Sequence, residues 1–324
     1  MDPLPQYPDH AFIPYLRPSS PTDPPPINLL NTSTWTYCGP LLEPTSDALP
    51  PSFHTWATST IDGPLLPRLL PFLDFLHGFL SKAGAQHYWL TIRVTKPTSE
   101  YDVVRWHTDD LFFDYDGEKD RLELDETWTR DRDEKMTTTT TTTTTTRTRT
   151  KTRTRTRRRR KRRSSSSSSQ SGKKKKTEYW KMATTLLGPG TLFLQDGAQA
   201  RLAQHAAKAA QLASRSGGPH TCTSFRCPNC LDAVEAVRQT LAHSLASEPV
   251  ESPQYGQVAF FRLGSEKGAV HSEPRCPVDR IFVNVVPGSE TELSGLMSRW
   301  GMDFPTSWCF DDDDDATTRK KGRK

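Results

Sequence analysis

His107 and Asp109 stand two residues apart in Arg105-Trp106-His107-Thr108-Asp109-Asp110. Residues two apart on a strand point to the same face, so an imidazole and a carboxylate there aim at one place. A second imidazole would complete the facial triad of two histidines and one carboxylate that leaves positions open on non-haem Fe(II). His271, in Gly268-Ala269-Val270-His271-Ser272, is the candidate. Asp110 offers a second carboxylate, but adjacent strand residues face opposite ways, which favours Asp109. Taken alone, His-x-Asp is common, and its plain reading is a strand-end histidine bonded to a nearby acid. Arg280 adds weight. It opens Arg280-Ile281-Phe282-Val283-Asn284-Val285-Val286, a run with the composition of a buried strand. A guanidinium entering such a strand requires an anion, because an unpaired charge is costly there. Its planar fork suits a carboxylate, gripped through two parallel bonds.

A second group of soft ligands lies in His220-Thr221-Cys222-Thr223-Ser224-Phe225-Arg226-Cys227-Pro228-Asn229-Cys230. His220, Cys222, Cys227 and Cys230 form a candidate structural zinc site. Zinc sites usually draw on two separated pairs, so reduced thiols ahead of a helix over 231–246 are the competing reading. Such a cluster has no open coordination position and no base of its own. Gly188-Pro189-Gly190 is turn chemistry without the Lys-Ser/Thr of a phosphate loop, which excludes nucleotide binding at that turn.

His107-x-Asp109, His271 and Arg280 resemble the motif of the Fe(II)/2-oxoglutarate-dependent oxygenases. Three blocks resemble more closely an uncharacterised domain family of bacterial and fungal proteins. They are Trp106-His107-Thr108-Asp109, Leu187-Gly188-Pro189-Gly190-Thr191-Leu192-Phe193, and Gly256-Gln257-Val258-Ala259-Phe260-Phe261 running into Val270-His271-Ser272-Glu273-Pro274. The resemblance spans residues 86–290 and departs from the pattern where low-complexity sequence separates the first two blocks. It implies a double-stranded β-helix of jelly-roll or cupin-like form, with iron held by His107, Asp109 and His271. It also implies 2-oxoglutarate bound through its far carboxylate to Arg280, and a hydroxylase- or demethylase-type dioxygenase. It assigns no substrate. The alternative from another class is a non-enzymatic β-barrel binding module whose basic loop contacts nucleic acid or acidic partners.

The elements that would position these residues can be read in order. Residues 1–50 are proline-rich and predict an extended arm, with Phe12, Ile13, Trp35 and Tyr37 available to pack on the domain. Near-helical spacing of leucines predicts a helix over 69–82 that stops before Gly84. Strands are predicted at Tyr88–Thr95, at 101–106 leading into His107, at 177–187, at 191–194, at 258–261 and at 280–286. Arg93 with Thr91 or Thr95 could face the site. Helices are predicted over 198–213, 231–246 and 293–300. The expected organisation is one domain over 51–310, interrupted by an insert at 116–176 and by a helical insert at 198–250 carrying the cysteines. A charged tail follows at 311–324. Short strands with few helices predict a mainly β fold.

Composition sharpens this picture. Apolar residues make up 34% of the 324, low for a globular chain, and the deficit sits in the tails and the middle. The net charge is +5, yet residues 147–176 carry 16 Lys or Arg and no acid, so without them it would be −11. The threonine run Thr137–Thr146, the Arg-Thr alternation and Lys173–Lys176 predict a solvated, disordered insert. Its functional readings are nuclear import or weak, sequence-independent contact with nucleic-acid phosphates; the bland reading is an expanded surface loop. No run approaches the ~18 apolar residues of a membrane span. The N-terminus lacks a basic start and an apolar stretch, and the six cysteines fit a reducing compartment. The expectation is an intracellular protein of nucleus or cytoplasm.

Overall fold

Twelve strands and five helices build the molecule in a computed structural model that describes residues 9–16, 24–111, 113, 179–214 and 228–311. In chain order they are β1 (His10–Pro14), β2 (Asn28–Leu29), β3 (Ser33–Pro40), α1 (Pro51–Thr60), β4 (Ile61–Asp62) and α2 (Leu66–Lys82). Then come β5 (His87–Thr95), β6 (Trp180–Leu187), β7 (Leu192–Leu194), α3 (Gly197–Ala213), α4 (Pro228–Ser244) and β8 (Val250–Glu251). The last are β9 (Gln257–Arg262), β10 (His271–Ser272), β11 (Arg280–Gly288), α5 (Glu290–Arg299) and β12 (Thr306–Asp311). The 116–176 insert lies outside the described residues, as do His220, Cys222 and Cys227. Cys230 lies in the first turn of α4.

The fold is mainly β and antiparallel, with flanking helices. One sheet has seven strands in the order β1-β9-β6-β11-β5-β3-β12, and a smaller one has three in the order β10-β7-β8. Strand alternation gives the large sheet two unlike faces. One carries Trp35, Tyr37, Leu90, Ile92, Val94, Met182, Val258, Phe260, Ile281, Val283 and Val285, all buried. Helices α1 and α2 cover it. Phe79 of α2 lies 4.8 Å from the Phe260 ring, and Phe53 of α1 lies 5.2 Å from Trp35. Each large apolar side chain taken out of water there contributes roughly 1.5–3 kcal/mol. Helix α2 starts earlier than its leucine spacing predicts because Pro67 sits in the first turn, where its missing N–H costs nothing.

The opposite face is of another character. It presents Thr36, Thr91, Arg93, Thr95, Lys181, Thr185, Arg280 and Asn284, with Ala183, Ala259, Phe261 and Phe282 among them. The small sheet stands against it: Phe193 of β7 packs on Phe261 of β9, ring centroids 5.3 Å apart. Behind the small sheet, Trp106, Leu194, Ala200, Ala207, Leu241, Leu245 and Val270 join α3 and α4 to it. The polar residues thus line the space between two sheets.

Two expectations are corrected. Residues 33–40 are not an arm: they form β3, paired along its length with β5 inside the large sheet. Ser33-Thr34-Trp35-Thr36-Tyr37 alternates polar and aromatic, and burial of Trp35 against α1 outweighs the proline-rich surroundings. Residues 101–106 are not a strand. Asp102 N–H donates to Ser99 O at 3.1 Å in a turn, and Val103 is exposed, so its β propensity has nothing to pack on. In addition, the boundary expected for the tail over 311–324 is one residue too early, since Asp311 ends β12, the edge partner of β3.

Phe113 and Tyr179 stand on either side of residues 114–178, and their rings lie 5.3 Å apart. The Tyr179 hydroxyl donates to Glu292 of α5 at 2.9 Å. Among the described residues no helix is long and apolar enough to cross a membrane.

Candidate metal centre

His107 and His271 meet as an isolated antiparallel pair. His107 N–H donates to His271 O at 3.0 Å, and His271 N–H returns to His107 O at 2.9 Å. This exchange holds two residues from distant parts of the chain side by side, with ring centroids 4.4 Å apart. Asp109 is fixed from behind: Gly264 N–H donates to its backbone oxygen at 2.7 Å, inside a tight loop closed by Gly268 N–H on Gly264 O. A Cβ on Gly268 would meet Gly264 O at 2.3 Å, so that closure needs glycine.

The tautomers follow from the partners. His107 Nδ1 lies 2.7 Å from Arg105 O, and His271 Nδ1 lies 3.0 Å from Ala269 O. A carbonyl only accepts, so each Nδ1 carries a hydrogen, and in the neutral ring each Nε2 then carries the lone pair. Both Nε2 atoms turn towards one carboxylate oxygen: Asp109 Oδ1 is 3.8 Å from His107 and 3.7 Å from His271. All three donor atoms fall within 4.8 Å of one another. Two donors bound to one ion at ~2.1 Å can stand no more than ~4.2 Å apart, so the Asp109–histidine spacings suit a shared ion. Two neutral imidazoles and one carboxylate are the donor set of a divalent transition metal with positions to spare. The three side chains therefore form a candidate metal-binding group.

The electrostatics agree with that use. Asp109 is buried, which by itself would raise its pKa. Lys181, His271 and His107 outweigh this and hold the carboxyl well below the usual range. Lys181 Nζ sits 2.8 Å from Asp109 Oδ2, both side chains nearly inaccessible, so Oδ2 is occupied and Oδ1 is turned to the histidines. Burial, reinforced by His107 when that ring is protonated, lowers His271 to about 4, which keeps the His271 lone pair available to a metal at neutral pH. Asp110, the other carboxylate considered, is exposed.

Arg280 begins β11 on the polar face, 2% exposed. Its Nε donates to Pro189 O at 3.0 Å and its Nη2 to Thr191 Oγ1 at 3.5 Å, while the guanidinium lies 4.7 Å over the Phe282 ring. The Gly188-Pro189-Gly190 turn is its seat: Gly188 has φ +80°, and a Cβ there would meet Asp279 O at 2.5 Å. Burial lowers Arg280 to about 10, with the charge of Glu273 opposing that shift. No carboxylate hydrogen-bonds to it among the described residues.

Two residues near the triad carry no sequence motif. Lys181 lies on β6, whose other side chains carry no charge. Glu273 lies two residues beyond His271; its Oε2 is buried without a hydrogen-bond partner. Burial would raise the Glu273 pKa, but the charges of His107 and Arg93 bring it down to about 2. The zinc candidates His220, Cys222 and Cys227 lie outside the described residues. No family model, no curated protein and no solved structure matches the chain.

Proposed function

We propose that the chain is an Fe(II)- and 2-oxoglutarate-dependent dioxygenase, of the hydroxylase or demethylase type. Its two facing sheets are read as a double-stranded β-helix. One observation carries the reading. His107, Asp109 and His271 bring their donor atoms within 4.8 Å between the sheets, with a buried guanidinium, Arg280, opening a strand of the same polar face. Three protein donors leave further positions on an octahedral ion, as a catalytic centre requires and a structural one does not. Bound there, iron and 2-oxoglutarate supply O2-dependent oxidation of a C–H bond, coupled to decarboxylation to succinate.

The chain's own contribution is arrangement. Backbone carbonyls fix both imidazoles with Nε2 inward. Lys181 keeps Asp109 ionised and occupies Oδ2, which leaves Oδ1 as the single donor oxygen. Arg280, already held through Nε and Nη2, keeps Nη1 for the far carboxylate of 2-oxoglutarate. Phe193 and Phe261 pack on His271, at 5.7 Å and 4.9 Å between ring centroids, and limit water on that side.

The test is 2-oxoglutarate turnover to succinate by the full-length protein with Fe(II), alongside anaerobic metal titration. Wild type should bind one ferrous ion and release succinate slowly even without a primary substrate. His107→Ala should lose both, and Arg280→Ala should lose 2-oxoglutarate affinity while still binding metal. Metal binding that survives His107→Ala unchanged sinks the reading.

A further inference from the structure

The proposed chemistry does not account for Glu273 and Arg93. Arg93 lies on β5 between Thr91 and Thr95, all three on the polar face, and pairs in register with Phe282 of β11. It is half-buried, and among the described residues it makes no hydrogen bond and no ion pair. Glu273 approaches from the other side. The segment that carries it is clasped to residues 98–107 by the Thr98–Cys276 and His107–His271 bridges and by Arg105 N–H on Ser272 Oγ at 2.8 Å. Apart from its own backbone N–H, its carboxylate has no hydrogen-bond donor, and Oε2 is buried without any. The two groups feel each other's charge and do not touch. A buried carboxylate oxygen left without a donor has lost its water and gained nothing in return. A guanidinium and a carboxylate within range of each other's charge normally close into an ion pair, and these two do not.

Two further polar atoms on this face are in the same condition. Asn284 Oδ1 on β11 and Thr185 Oγ1 on β6 are buried and unpartnered, and their strands are neighbours. The surface beside the triad therefore presents a carboxylate and an amide oxygen that need donors, and a guanidinium that needs an acceptor.

We propose that Glu273 and Arg93 form a binding subsite for a small zwitterion, a molecule bearing an ammonium and a carboxylate on neighbouring atoms, as an α-amino acid does. The ammonium donates to Glu273 Oε2, and the carboxylate takes the Arg93 fork. As a ligand site this stands on its own residues; as the site of the primary substrate it rests on the dioxygenase reading above. Arg280 is a separate guanidinium, seated on Pro189 and Thr191, and is not part of it.

The experiment uses the full-length protein and the twenty proteinogenic L-α-amino acids as probes, first mixed and then singly. Binding is read by saturation-transfer NMR, once with Zn(II) as a diamagnetic metal and once metal-free. At least one amino acid should bind. Its 2-hydroxy-acid analogue, which lacks the ammonium, and its carboxamide, which lacks the carboxylate, should each bind about tenfold more weakly or worse, the worth of one charge-assisted bond. Glu273→Gln and Arg93→Met should weaken the parent amino acid by a similar factor, with the folded fraction checked by thermal melting. Binding of none of the twenty, equal binding of the two analogues, or indifference to both substitutions overturns the proposal. So does an Arg93→Met variant that loses 2-oxoglutarate instead of the amino acid. Absence of metal binding, with Glu273-dependent amino-acid binding intact, sinks the dioxygenase reading and leaves the subsite standing.

Discussion

Two histidine constellations lie close together in this molecule, and their hydrogen bonds sort them. His10 on β1 has Nδ1 at 2.7 Å from Asp9 Oδ1 and Nε2 at 2.7 Å from Glu251 Oε1. Both nitrogens face carboxylates, so both carry hydrogens and the ring is an imidazolium. Arg201 of α3 completes the clamp on Asp9 Oδ2 at 2.7 Å. His107 and His271 instead spend one nitrogen each on a backbone carbonyl and direct the other at a shared carboxylate. The first arrangement saturates a ring and ties β1 to β8 and α3. The second keeps a lone pair in reserve. The stacking environment does not separate them, since Phe193 packs on His10 at 4.8 Å and on His271 at 5.7 Å. What the second nitrogen meets is the discriminating observation.

The sharpest way to break this distinction is metal titration of alanine variants. A metal held by three protein ligands with ~10 kcal/mol of binding free energy loses about 3 kcal/mol with one ligand. His271→Ala should therefore weaken Co(II) binding at least about a hundredfold, while His10→Ala leaves it within a factor of about two, as read by isothermal titration. Equal losses in the two variants would erase the contrast. Of comparable size, on stability rather than on metal affinity, is the effect of Lys181→Met. It strands a buried carboxylate, and removal of one partner from a buried pair typically costs about 3–5 kcal/mol. Chemical denaturation of the metal-free protein should show that loss, and saturating Zn(II) should recover part of it, because the ion replaces the missing cation.

The smallest effect belongs to the clamp and depends on pH. Burial alone would lower the pKa of His10, but Asp9 and Glu251 raise it above the ordinary 6.5. Stability from this group is thus complete below about pH 6.5 and is lost as pH rises through the raised value. Asp9, lowered from 3.8 despite its burial, contributes above that value and loses its share as pH falls through its depressed pKa. His10→Gln should cost about 1 kcal/mol near pH 6 and flatten the fall in melting temperature as pH rises above about 6.5. An unchanged slope would mean the ring is neutral and the clamp reading is wrong.

Much of the framework is legible in the sequence. Arg280 stands out because a charge heads an apolar strand, and His271 because it precedes that strand by one short loop. Strands β5, β6, β9 and β11 and helices α2 and α3 follow from alternation and leucine or alanine spacing. Other features are hidden for stated reasons. Lys181 is invisible because its partner, Asp109, is 72 residues away with the low-complexity run between. Strand β3 is masked by the proline-rich composition around it, although its first five residues alternate as a strand should. Glu273 reads as an ordinary acid after a histidine; only an unmatched oxygen in a buried setting marks it. The 101–106 stretch shows the opposite error, since Val103 and Val104 favour a strand that the turn at Ser99–Asp102 forbids.

The pairing of Phe113 with Tyr179 has a consequence for how this sequence can vary over time. The two residues that flank 114–178 lie side by side, with ring centroids 5.3 Å apart, so the described residues on either side meet whatever the length of the sequence between them. Closure entropy grows only logarithmically, by about 0.6 kcal/mol per doubling of a flexible segment. Codon gain or loss within Thr137–Thr146 is therefore expected to leave the His107–Asp109–His271 group undisturbed, which metal titration of a threonine-run deletion would check.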